Sequence, residues 1–91
     1  DSGILFDYET DGSINSVDMT PDGSYAFVGC DDGNVYGFNM SNKSLMWKYQ
    51  TMGSVEDVSI NPHAKLIGVG GMDGCIYILN YSGNLINKRN L

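Results

Sequence analysis

Positive charge is scarce in this 91-residue chain: five Lys and Arg stand against eleven Asp and Glu, for a net charge of −6. A chain this acidic lacks the basic footprint that neutralises phosphate backbones or anionic lipid headgroups. Nucleic acid and membrane surfaces are therefore not expected partners. Histidine occurs once and cysteine twice, at Cys30 and Cys75, with no CxxC spacing and no His/Cys cluster. That excludes a zinc-site pattern. A disulfide is not expected, because the two cysteines fall at non-equivalent places in the chain's internal repeat. No apolar run approaches the roughly 20 residues of a membrane-spanning helix, and no stretch of these residues reads as a signal peptide, which says nothing about a parent protein. The first residue is Asp1 and lies inside a repeat unit, as in a processed or excised piece. Proline is rare, with 2 residues, whereas the 12 glycines punctuate short apolar runs, the habit of a turn-rich β-protein.

What the chain does contain is an internal repeat with an offset of 41 residues. Gly12, Ser13, Val17, Pro21, Val28, Gly29, Asp32, Gly33, Tyr36 and Asn39 fall on Gly53, Ser54, Val58, Pro62, Val69, Gly70, Asp73, Gly74, Tyr77 and Asn80. ILFDYETDG at 4–12 lies over LMWKYQTMG at 45–53. One residue is lost after Ser82, so that Leu85 corresponds to Leu45. Each unit holds four strand-like runs: SINSVDMT, YAFVGC, NVYGFN and SLMWKYQT, then SVEDVSIN, KLIGVGG, CIYILN and NLINKRNL. ILFDYET supplies the last strand of a preceding unit.

Turn chemistry separates the runs. Pro21-Asp22-Gly23 sets a turn with a fixed proline φ and a glycine free to take positive φ. Its counterpart, Pro62-His63-Ala64, has lost the glycine and is expected to turn differently. Asp32-Gly33 and Asp73-Gly74 read as hairpin turns between second and third strands. Those strands are apolar at nearly every position, as in Tyr25–Val28 and Ile76–Leu79, which predicts burial on both faces. The fourth strands carry Lys48, Gln50, Lys88 and Arg89, as suits an outer edge.

Four strands per unit of this length is the signature of a β-propeller blade. The run SINSVDMTPDGSYAFVGCDDGNVYGF resembles repeats of the tryptophan–aspartate class, and DGNVYGFNMSNKSLMWKYQT resembles the quinoprotein-like (PQQ-like) repeat, with Trp47 at its docking tryptophan. The Gly-His and Trp-Asp dipeptides of the first class are absent, Phe6 and Asn87 stand where the other two copies would carry Trp47, and no quinone-holding residue can be placed. The resemblance implies an all-β fold: residues 1–11 as the outer strand of a preceding blade, 12–52 as one four-stranded antiparallel blade and 53–91 as a second. Hybrid repeats of this kind resemble those of secreted or surface proteins, which implies an extracellular or cell-surface location. Propellers close with four to eight blades. Two blades are thus expected to belong to a longer chain or to assemble with further copies into a ring or filament.

Among candidate sites, Asn39, Asn42 and Asn80 each begin an Asn-x-Ser sequon, a possible N-glycosylation site, near the loop after a third strand. Asp31, Asp32 and Asp73 suggest a cation, yet the Asp-x-Asp-x-Asp-Gly spacing of a calcium loop is missing, and turn formation explains them better. Asp18, Glu56 and Asp57 fall on innermost strands, where solvated carboxylates are expected. His63 sits in a turn with no triad or metal partner in sequence reach. Gly68–Gly71 lies within a strand, with no following helix to bind phosphate. Trp47, Tyr36 and Tyr77, with Tyr49, are assigned to packing between blades rather than to stacking on sugars. The expected function is accordingly a non-enzymatic scaffold or interaction module that binds protein and needs no cofactor. A slice of a quinoprotein-type dehydrogenase and a lectin-like sugar binder are the alternatives.

Overall fold

A computed structural model of the chain describes residues 12–90. It contains eight strands: β1 (Ile14–Met19), β2 (Tyr25–Cys30), β3 (Asn34–Asn39), β4 (Ser44–Gln50), β5 (Val55–Asn61), β6 (Leu66–Gly71), β7 (Cys75–Asn80) and β8 (Leu85–Asn90). They form two four-stranded antiparallel sheets, ordered β1-β2-β3-β4 and β5-β6-β7-β8. Each sheet is a meander, the topology expected when successive strands are joined by short turns. The leading strand expected at 4–10 falls outside the described residues.

The sequence repeat is reproduced in backbone detail. β1 bulges between Ile14 and Ser16 and β5 between Val55 and Asp57, so Asn15 and its repeat partner Glu56 are both thrown out of the ladder. Leu45 stands opposite Phe38, and Leu85 opposite Leu79, which places the lost residue in the β7–β8 turn. Gly33 and Gly74 take φ of +91° and +77°, the conformation for which the Asp-Gly turns need glycine. In the first β1–β2 turn Gly23 carries positive φ (+76°). In the β5–β6 turn, where alanine replaces that glycine, the positive φ moves one residue on, to Lys65 at +56°.

The sheets pack face to face, with β5 against β1 and β2. Phe27 and Val35 from the first sheet meet Val55, Val58, Ile67, Val69, Tyr77 and Leu79 from the second. A separate cluster of Val28, Cys30, Tyr36 and Phe38 occupies the opposite face of the first sheet. Burial on both faces, expected for all inner strands, holds for β2 and β3 but not for β6 and β7. There the face turned away from the first sheet stays open, and Ile76 is 37% exposed. The two cysteines are unpaired.

Candidate functional site

The seam between the sheets is built by polar groups of β1 reaching the edge of β5. An edge strand presents unpaired N–H groups that need partners when another sheet covers them. Ser16 Oγ accepts the Val58 N–H at 3.2 Å, and Asp18 Oδ2 accepts the Ile60 N–H at 3.0 Å. The bulged Asn15 donates its amide to the Val55 carbonyl at 2.9 Å and to Asp31 Oδ1 at 2.6 Å. Ser54 Oγ lies 2.8 Å from Asp31 and 2.9 Å from Glu56 Oε2. The Asn15 amide, with help from the Ser54 hydroxyl, holds the Asp31 carboxyl below its ordinary range. Ser16 and Asp18 thus cap a neighbouring strand, and Asp57 bonds the Ser16 hydroxyl. The expectation of solvated carboxylates missed this role, because only the packing of two sheets creates it.

Aromatic packing forms the opposite half of the seam. Trp47 lies over Gly37, where even a methyl group would meet the indole at 2.4 Å, and over Gly83. Its Nε1 donates to the Tyr81 carbonyl at 2.8 Å, joining the first sheet to the β7–β8 turn. The Trp47 ring stacks on Phe27 at 5.7 Å between centroids. Tyr77 meets Tyr49 edge-on at 6.0 Å. Tyr36 instead packs with Val28, Cys30 and Phe38 on the far face of the first sheet.

Tyr36 and Tyr77 are each tied to the turn aspartate four residues before them. Tyr77 donates to Asp73 Oδ2 at 2.6 Å, and Tyr36 donates to Asp32. Burial first, then the aspartate, pushes the Tyr77 phenol up to about 12 and raises Tyr36 as well. The Tyr77 hydrogen bond holds Asp73 below its ordinary value. Burial works against ionised Asp32, but the bonds from Tyr36 and the Asn34 N–H together outweigh it. These aspartates also accept the N–H of Asn34 and Cys75, so turn formation accounts for them. Among the described residues no group of three or more His, Cys, Asp and Glu is placed to hold a metal ion.

The three sequon asparagines make turns of the same kind. Asn39, Asn42 and Asn80 accept the N–H of Ser41, Ser44 and Ser82. His63 is exposed in the β5–β6 turn.

A family model for the WD domain, G-beta repeat (WD40), matches residues 4–39 and 44–80. No curated protein sequence matches the chain. Among solved structures, U3-55K superposes with a TM-score of 0.85 at 16% identity, covering 92% of this chain and 28% of that one. The RRP9 WD40 repeats superpose with a TM-score of 0.84 at 16% identity, with the same coverages. The likeness at that identity is one of fold: the two sheets are propeller blades, and the chain spans about 28% of the structures it matches. The quinoprotein half of the expected hybrid finds no support, and neither do the dehydrogenase and lectin alternatives. The extracellular placement is corrected with it. That placement rested on exported hybrid repeats, and the matches are instead to U3-55K and RRP9. Trp47, which suggested the quinoprotein class, is explained by the glycine opposite it and the carbonyl it bonds.

Proposed function

This chain belongs to the WD40 family of G-beta repeats, and from that premise we propose that it works as a non-enzymatic protein-interaction scaffold, two blades of an assembled propeller. The observation that carries this is the far face of the second sheet. Gly68, Gly70 and Ile76 are the repeat partners of Phe27, Gly29 and Val35, which are buried against the neighbouring sheet, and Ile78 is the partner of Gly37, which is buried under Trp47 of its own sheet. A Cβ on Gly70 would meet nothing within 4 Å, and Ile76 is 37% exposed. An open apolar sheet face of this kind is stabilised by covering it, and a blade is the element that covers its counterpart in the first sheet. The cover comes either from further blades of a parent chain or from other copies of this one.

Light scattering after size exclusion, with electron microscopy of the same sample, tests the reading. The chain is expected to form discrete multimers or regular filaments alone, or to become monomeric once joined to further blades. Ile76→Asp with Ile78→Asp is expected to dissociate the assembly. A stable folded monomer whose mass and melting ignore that double change would rule the proposal out.

A further inference from the structure

The two sheets also enclose a cleft that blade stacking does not explain. Pro21, Asp22 and Tyr25 from the first sheet and Pro62, Lys65 and Tyr81 from the second line a space of about 510 Å³. It lies at the rim that carries the β1–β2 and β5–β6 turns, between repeat-equivalent prolines.

Its aromatic wall is held in place before any ligand arrives. Tyr81 packs at 5.9 Å from Tyr25 and 5.3 Å from Phe27, and Tyr25 stacks on Phe27 at 6.5 Å. The Tyr81 backbone is fixed by the 2.8 Å bond from the Trp47 indole. Preorganised rings of this kind cost little entropy to dock against. Among the described residues, neither the Tyr25 nor the Tyr81 hydroxyl has a hydrogen-bond partner. Burial, followed by the charges of Asp22 and Asp18, keeps the Tyr81 phenol protonated above its ordinary range, so it remains a donor.

The two charges in the cleft are not equivalent. The Asp22 carboxylate is engaged by its own turn, accepting the Thr20 hydroxyl at 2.9 Å and the Ser24 N–H at 3.0 Å. Lys65 has no described carboxylate within ion-pair distance. It is the cation of the cleft, and its backbone is set in the turn at φ +56°. Apolar rings flanked by prolines, free phenolic donors and one unpaired ammonium match an extended, polyproline-like peptide. Such a chain makes no internal hydrogen bonds and turns its carbonyls outward.

We propose that this cleft is a peptide-binding site for a short extended segment with a proline or aliphatic side chain on the Tyr25–Tyr81 pair, backbone carbonyls accepting from the tyrosine hydroxyls, and an adjoining carboxylate reaching Lys65. The site needs both sheets but no further blade, so it stands or falls separately from the assembly described above.

The only tryptophan of the chain, Trp47, is bonded to Tyr81 and so reports on the cleft by its fluorescence. The probe is the blocked peptide acetyl-Pro-Pro-Leu-Asp-amide, titrated into the full chain beside the same peptide ending in Asn. Saturable binding of the Asp peptide is expected. It should weaken about five- to tenfold for the Asn peptide and for Lys65→Glu, the size of one exposed charge-assisted contact. Tyr81→Phe is expected to weaken both peptides. Lys43→Glu, in the β3–β4 turn, should leave binding unchanged, and circular dichroism should show every variant folded. No saturable response at several millimolar peptide overturns the proposal. So does binding that Lys65→Glu and Tyr81→Phe leave untouched, which places the peptide elsewhere.

Discussion

The Asp18 carboxylate of the first sheet accepts the backbone N–H of Ile60 in the second, Oδ2 to N 3.0 Å. This bond, with Ser16 on Val58, replaces the strand partner that β5 lacks along its inner edge. Asp18→Ala leaves the Ile60 N–H without that acceptor in a partly buried seam, and is expected to destabilise the chain by about 1–3 kcal/mol. Asp18→Asn keeps an acceptor oxygen and should cost less. Urea midpoints at neutral pH check both, and equal midpoints for Asp18→Ala and the parent would remove Asp18 from the account of the seam.

Trp47 and Gly37 face each other across β3 and β4, while at the equivalent places of the second sheet Asn87 faces Ile78. One blade pairs a large ring with no side chain, and the other pairs a branched aliphatic with a small amide. Gly37→Ile alone drives a side chain into the indole and is expected to cost at least 2 kcal/mol, as overpacking does. Trp47→Asn alone loses the Tyr81 bond and the Phe27 stacking, for about 3–5 kcal/mol. The double variant rebuilds the second blade's pairing and should be more stable than the sum of the two losses, by about 1 kcal/mol or more. Simple additivity would show that the two positions are not coupled.

Much of this architecture was legible because its signals are local. Asp32-Gly33 and Asp73-Gly74 announce their positive-φ turns, and the apolar runs of β2 and β3 announce burial on both faces. The same reading failed on β6 and β7, because Ile76 and Ile78 carry the composition of a covered strand while their outward face is open. The roles of Ser16 and Asp18 were hidden for a different reason. Their partners lie 42 residues away, and a Ser or Asp on a strand reads as solvated until a neighbouring edge is placed beside it. The cleft was equally hidden, since Tyr25 and Tyr81 meet only when the sheets stack.

The paired Asp73 and Tyr77 make stability depend on pH at both ends. A carboxyl held below its unfolded value of 3.8 contributes stability above that pH and loses it as pH falls through the folded value. A phenol raised from 10.0 to about 12 contributes below 10 and loses it as pH rises toward 12. The Asp32–Tyr36 pair acts in the same directions. Melting temperature is therefore expected to be flat from about pH 5 to 9 and to fall on either side. Asp73→Asn should shallow the acid limb and Tyr77→Phe the alkaline one. Limbs that match the parent's in both variants would show that this pair does not set them.

Lys65 holds φ at +56° in the turn where the first repeat uses Gly23 at +76°. A side chain in the left-handed region crowds its own carbonyl, at a cost of roughly 1–2 kcal/mol that glycine does not bear. Lys65→Gly is thus expected to stabilise the chain by about 0.5–1 kcal/mol, part of the gain being offset by the greater freedom of glycine in the unfolded state. Ala64 occupies the sequence position equivalent to Gly23, yet its φ is not positive. Ala64→Gly should therefore destabilise slightly, by unfolded-state entropy alone. Chemical denaturation of the two variants separates the turn geometries. Stabilisation by Ala64→Gly with none from Lys65→Gly would mean that the second repeat turns as the first does, and that the Lys65 side chain is set at a different angle to the cleft.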